Sequence, residues 1–184
     1  MKGREEALRL LKEADLICDA DCVQREVTRM AREIAGALQG QFPVVLSVMG
    51  GAAIFTGQLL PQLAFPLEFG AIEVTRYNND IQGREITWRL PPRDNVRGRT
   101  VLIVDDILDE GITLAAIRKK LLELGAREVL SAVFADKEIG RAKPVRADFV
   151  GLTVPNRYVF GFGMDAYGLW RNLPAIYALK ERKE

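Results

Sequence analysis

The chain has no histidine anywhere in its 184 residues. That absence removes Ser-His-Asp and Cys-His catalysis and the usual zinc hydrolase sites. Any chemistry must therefore rest on carboxylates, Lys, Arg, backbone amides and a hard cation such as Mg²⁺. Cysteine is nearly absent too, with Cys18 and Cys22 alone. Two thiolates without histidine make a poor zinc set, which normally needs four ligands. A disulfide inside one helical turn would be strained, so both are expected to be reduced, packed thiols. No apolar run reaches membrane-spanning length. The opening residues Lys2, Arg4, Glu5, Glu6, Arg9, Lys12, Glu13 and Asp15 are the opposite of a secretory leader. The expected compartment is the cytoplasm, without membrane attachment. Nor is there an excess of one charge: 26 basic against 25 acidic residues leave +1, too little to draw the chain onto nucleic acid. No Gly-Lys-Ser/Thr is present, so a P-loop is not supported.

What is there alternates. Val23, Val27, Met30, Ile34 and Leu38 recur at helical spacing, after a shorter helix holding Leu8, Leu10 and Leu11. Residues 43–48 then form a short apolar, β-branched run, followed by Gly50, Gly51 and a helix from Ala53 to about Leu63. Leu67–Val74 and Glu85–Leu90 read as strands. Thr100–Val104 is almost wholly apolar, as a strand covered on both faces should be. A helix over Leu114–Leu124 and a strand over Val129–Ala135 follow. The pattern predicts an α/β fold with a doubly wound, mainly parallel sheet. One domain, 1–184, is expected, with a core over about 40–150. Ligands of such sheets bind beyond the carboxyl ends of the strands, which here means after Val48, Val74, Val104 and Ala135.

The richest stretch lies after Val104. Asp105 and Asp106 follow the apolar strand, and Asp109-Glu110-Gly111-Ile112-Thr113 then opens a helix. Backbone N–H groups of such a turn, with the helix N-terminus, cradle an anion. Gly111 permits close approach and Thr113 adds a hydroxyl. Acids beside an anion cradle suit ribose hydroxyls, a hydrated Mg²⁺ or a proton acceptor. An Asp-x-x-Asp alone would read as an N-cap with solvated acids, but three carboxylates after a buried strand fit little else.

This stretch resembles the phosphoribosyl pyrophosphate motif of type I phosphoribosyltransferases, most of all the hypoxanthine-guanine members, and the resemblance runs from about Val44 to the C-terminus. It implies the fold of that family, with a small hood built from about 1–40 and 151–184. It implies that Asp105 and Asp106 face the ribose hydroxyls, that residues 109–113 wrap the 5-phosphate, and that Asp109 accepts the purine proton near N7. Glu110 departs from the family pattern, so only its backbone N–H carries over. Ser47-Val48-Met49-Gly50-Gly51 is similar to the family's pyrophosphate loop, which contains a cis peptide, here expected at Val48–Met49. Met49 lacks the charge of the lysine often found there, while Gly50 keeps the backbone role.

Further on, the resemblance implies that Lys137 donates to a purine O6, Tyr158 stacks on the base and the Val159 backbone meets its edge. Asp165 is placed beside the purine site and toward Mg²⁺, with Asp105 and Asp106 as further metal contacts, and Arg171 clamps pyrophosphate. Thr75-Arg76-Tyr77 resembles the start of a closing loop, which puts Arg76 and Tyr77 in a lid. The implied reaction transfers the phosphoribosyl group from phosphoribosyl pyrophosphate to hypoxanthine or guanine, with Mg²⁺, in a homodimer or homotetramer. The alternatives are a xanthine-preferring enzyme and a regulator that senses phosphoribosyl pyrophosphate without catalysis. Near-zero net charge and a short N-terminal segment argue against the regulator.

Overall fold

The computed structural model describes residues 3–76 and 86–180. In chain order its elements are α1 (Arg4–Glu13), β1 (Asp15–Cys18), α2 (Ala20–Leu38), β2 (Val44–Met49), α3 (Ala53–Leu59), β3 (Glu68–Arg76) and β4 (Ile86–Leu90). There follow β5 (Thr100–Leu108), α4 (Ile112–Glu123), β6 (Glu128–Lys137), β7 (Phe149–Val154), β8 (Val159–Phe160) and β9 (Ile176–Ala178). Six strands form one sheet in the order β4-β3-β2-β5-β6-β7. Only the β3–β4 pair is antiparallel.

The strand period of two distributes this sheet's side chains between two cores. Val45, Leu102, Val104 and Phe134 join α2 and α3 on one face. Val44, Ile103, Val101 and Val133 join Leu114, Ile117 and Leu121 of α4 on the other. Burying each such side chain contributes about 1.5–3 kcal/mol relative to exposure. The apolar stripe of α2 is buried along its whole length, which is why that helix reads clearly from its spacing. Helices thus cover both faces, as the alternating pattern predicts. No described helix is long and apolar enough to cross a membrane.

A second sheet of three strands, β1-β9-β8, is antiparallel throughout and draws on both chain ends. Arg157 fastens it, donating from Nη2 to Asp15 Oδ2 at 2.6 Å and to the Leu179 carbonyl at 2.8 Å. The strands of the large sheet run from Val44 to Val154, and α2 packs against them.

Several local expectations are corrected. Cys18 and Cys22 are joined as a disulfide, not left as thiols. Cys18 ends β1 and Cys22 lies in the first turn of α2, with Asp19 between them as the N-cap. The pair is therefore not confined to one helix, and its Cα atoms stand 5.6 Å apart, within bridging range. The cis bond is Met49–Gly50, not Val48–Met49: β2 stays paired with β3 through Met49 opposite Glu73, so the chain departs one residue later. Strand β5 continues past Val104 through both acids to Leu108, and β6 past Ala135 to Lys137. The two keep pairing as far as Leu108 opposite Asp136. Backbone pairing does not depend on the polarity of the side chains it carries.

Candidate active site

The carboxyl ends of β2 and β5, the start of α4 and the segment after β8 meet around a cavity of about 400 Å³. Met49, Gly50, Asp105, Asp106, Asp109 and Gly111 line it, and so do Thr113, Asp165 and Arg171. Thus the two acids, the turn after β5, the Met49–Gly50 segment and the downstream Asp and Arg converge on one space.

Its shape depends on two glycine contacts. A Cβ on Gly51 would fall 1.9 Å from Asp106 Oδ2, so the buried acid packs directly on backbone. Gly163, at φ +102°, brings its Cα so close to Gly51 that a Cβ would lie 2.0 Å from the Gly51 carbonyl oxygen. The turn carrying Gly163 is anchored by Phe162, which is fully buried. Its ring packs against Phe134 of β6 and Phe55 of α3, with centroids 4.5 and 6.3 Å away. Gly111 caps α4 at φ +79°, a left-handed conformation that suits glycine. The helix N-terminus, with Ile112 and Thr113 in its first turn, faces the cavity end of β5.

Asp106 Oδ1 accepts from the Ile107 N–H at 2.8 Å, and Asp105 Oδ1 accepts from the Asp106 N–H at 2.9 Å. Burial raises the Asp106 carboxyl above the ordinary aspartate range, although the Asp105 and Ile107 contacts and Arg171 pull the other way. Arg171 donates from Nη1 to the Gly163 carbonyl at 2.6 Å and pairs through Nη2 with Asp165 Oδ1 at 2.5 Å. Its Nη1 lies 3.9 Å from Asp106 Oδ2. Asp165 also accepts from the Gly168 N–H at 2.6 Å. Asp165 thus lines the acid-and-arginine cavity.

A second cavity of about 460 Å³ lies beside the first, walled by Lys137, Asn156, Arg157, Tyr158, Tyr167 and Leu179 among others. Tyr158 and Tyr167 are stacked, with centroids 5.4 Å apart and planes 17° apart. Val159, next to Tyr158, pairs with Ala178 and turns its side chain into the core. Lys137 Nζ donates to Asp109 Oδ2 at 2.7 Å. Since Asp109 lines the first cavity and Lys137 the second, this ion pair stands where the two spaces meet.

Glu110 pairs with Arg141 at 2.7 Å. Arg76 closes β3, while Tyr77 lies outside the described residues. Among the described residues no three His, Cys, Asp or Glu side chains group as a metal site. The donor chemistry still fits Mg²⁺, which takes one or two carboxylates and completes its shell with substrate oxygens and water: Asp105, Asp106 and Asp165 all face the first cavity. Sequence reasoning missed Tyr167, Arg141 and Lys143. The only signal for the last two was the density of cations over 137–146, which reads equally as a solvated loop.

Comparison with known proteins follows the same lines. The model of the phosphoribosyl transferase domain matches residues 14–167. The hypoxanthine-guanine phosphoribosyltransferase of Bacillus subtilis is 32% identical over 159 residues, which cover 86% of this chain and 88% of that protein. A bifunctional protein TilS/HprT of Listeria innocua is 33% identical over 166 residues, covering 90% of this chain but only 26% of its own length. Among solved structures, a hypoxanthine-guanine-xanthine phosphoribosyltransferase superposes with a TM-score of 0.78 at 30% identity, over 92% of this chain and 97% of that one.

Proposed function

The chain belongs to the phosphoribosyltransferase family, and from that premise we propose that it makes purine nucleotides by transferring a phosphoribosyl group from phosphoribosyl pyrophosphate to hypoxanthine or guanine. The observation that carries this reading is the Asp109–Lys137 pair at the junction of the two cavities. A sugar phosphate in the first cavity and a planar base in the second would bring C1 and N9 together beside that pair.

In the proposed reaction the C1–oxygen bond to pyrophosphate breaks as the C1–N9 bond forms. The products are a nucleoside 5′-monophosphate and pyrophosphate. The 5-phosphate is held by N–H groups of residues 110–113 at the α4 N-terminus, and the ribose hydroxyls by Asp105 and Asp106. Lys137 releases Asp109 to donate to O6. Asp109 then accepts the purine proton at N7 as N9 attacks. Tyr158 supplies a stacking face, and the backbone of Val159 meets the edge of the base. Arg171, already aligned by Asp165 and Gly163, is placed to donate to the departing pyrophosphate. Asp105, Asp106 and Asp165 would hold Mg²⁺, which would supply charge compensation for that leaving group. Catalysis is then chiefly positioning and charge stabilisation. The proposed setting is a single domain acting in the cytoplasm as a homodimer or homotetramer, an assembly that light scattering checks directly.

The test is a panel of hypoxanthine, guanine, xanthine and adenine with phosphoribosyl pyrophosphate and Mg²⁺, scored for nucleotide. Xanthine is included because a structural relative carries it in its name. The oxopurines are expected to react and adenine to be rejected. The Lys137 ammonium would meet adenine's amino group donor to donor, leaving a polar group unpaired at about 1–3 kcal/mol. Efficient adenine use by the wild type would overturn the assignment.

A further inference from the structure

We propose that Lys143 is a positioning residue for the Asp109–Lys137 pair, an inference that rests on the reading of that pair given above. Lys143 lies between β6 and β7, and its side chain is only 11% exposed. Nζ donates to the Leu108 carbonyl at 2.7 Å and pairs with Asp136 Oδ1 at 2.5 Å. Leu108 immediately precedes Asp109, and Asp136 immediately precedes Lys137. The two are also opposite one another in the β5–β6 ladder. One ammonium therefore ties the two strand ends from which the reacting pair departs.

Two neighbouring contacts act on the same loop. Arg141 takes the Glu110 carboxylate. The Lys143 Cβ and Pro144 Cδ would lie 3.4 and 3.3 Å from a Cβ on Gly111, so this segment is packed against the α4 cap. Stability alone does not call for a lysine here, because an ammonium withdrawn from water costs more than an apolar side chain unless it is fully paired. What the cation adds is a donor to a carbonyl at a ladder end, where a strand otherwise loses its partner and opens locally. The 2.7 Å contact between Asp109 and Lys137 joins residues that leave different strands. Their separation follows from how those ends are held, and displacements of about half an ångström at a reacting centre already cost rate.

The experiment compares wild type with Lys143→Met, Lys143→Arg and Asp136→Asn, using hypoxanthine, phosphoribosyl pyrophosphate and Mg²⁺. Steady-state kinetics are measured together with amide hydrogen exchange over residues 108–113 and over α2. For Lys143→Met we expect kcat to fall at least about tenfold, while KM for phosphoribosyl pyrophosphate stays within about threefold. Exchange should accelerate in 108–113 and not in α2. Lys143→Arg should recover part of kcat, and Asp136→Asn, which keeps the bond to Leu108, should lose less than Lys143→Met. A kcat within about twofold of wild type, or faster exchange spread equally over α2, would overturn the proposal. If Lys143→Met does not fold, Asp136→Asn decides: slowed turnover with local exchange supports the brace, and wild-type behaviour refutes it. A wild type that forms no nucleotide would instead remove the reading of the pair, and exchange in 108–113 would then judge the brace alone.

Discussion

Asp106 is held against backbone at Gly51 and Gly163, and its carboxyl is raised by burial. A carboxyl whose folded value lies above its unfolded value binds its proton more tightly in the folded state. Its contribution to stability is thus fully present at low pH and is lost as pH rises from the unfolded value, about 3.9, through the folded one. The free protein is expected to lose stability across that window, and Asp106→Asn to flatten the profile and raise Tm at neutral pH while impairing turnover. Thermal melts of both proteins from about pH 4 to 7 check the sign; a steeper profile in the variant would contradict it. Asp109 makes a different prediction. Its carboxylate meets Lys137 in a partly exposed position, so Asp109→Asn should fold normally. As a proton acceptor it should contribute about 10²–10⁴-fold to kcat, with little change in the affinity for phosphoribosyl pyrophosphate. Near-wild-type turnover would take Asp109 out of the mechanism.

At the level of elements, the turn from Gly161 to Met164 shows how the core sets the site. Phe162, at φ +51°, is pinned by Phe55 and Phe134, and that places Gly163 over Gly51. Gly163→Ala combines an unfavourable backbone conformation with a collision against a carbonyl oxygen. It is expected to lower unfolding free energy by about 1–3 kcal/mol and to weaken use of phosphoribosyl pyrophosphate more than that of the base. Denaturant titration and the two KM values check this. Such a turn was not legible beforehand, whereas β2, the first half of β5 and α2 were, because each is a contiguous run with one clear period. Asp105, Asp106, Asp109 and Gly111 were legible for the same reason: they follow one another along the chain. The continuation of β5 through its acids was hidden, since polar residues at a ladder's end carry no strand signal. Lys143 was hidden because a lysine among mixed charges looks solvated until the fold buries it. The short strands β1, β8 and β9 find their partners across the chain, where no local pattern points.

At the scale of the molecule, Arg157 holds the small sheet together by bonding Asp15 and the Leu179 carbonyl at once. It also forms part of the wall behind Tyr158. Arg157→Met should lower Tm by about 2–4 °C for each kcal/mol lost, and raise KM for the purine more than for the sugar phosphate. Melting curves and the two KM values decide between this and a purely structural loss, in which both KM values would be unaffected. The pairing of β1 with β9 has a consequence for how the chain is made. Asp15–Cys18 leaves the ribosome well before its strand partner Ile176–Ala178. All six strands of the large sheet have been synthesised by Val154, but the first cavity still lacks Asp165, Arg171 and the Gly163 turn that packs on Gly51. The second cavity waits longer still, because Tyr158, Tyr167 and Leu179 all follow Val154 in the chain. A polypeptide halted before Ile176 would leave β1 an orphan edge exposed to other chains.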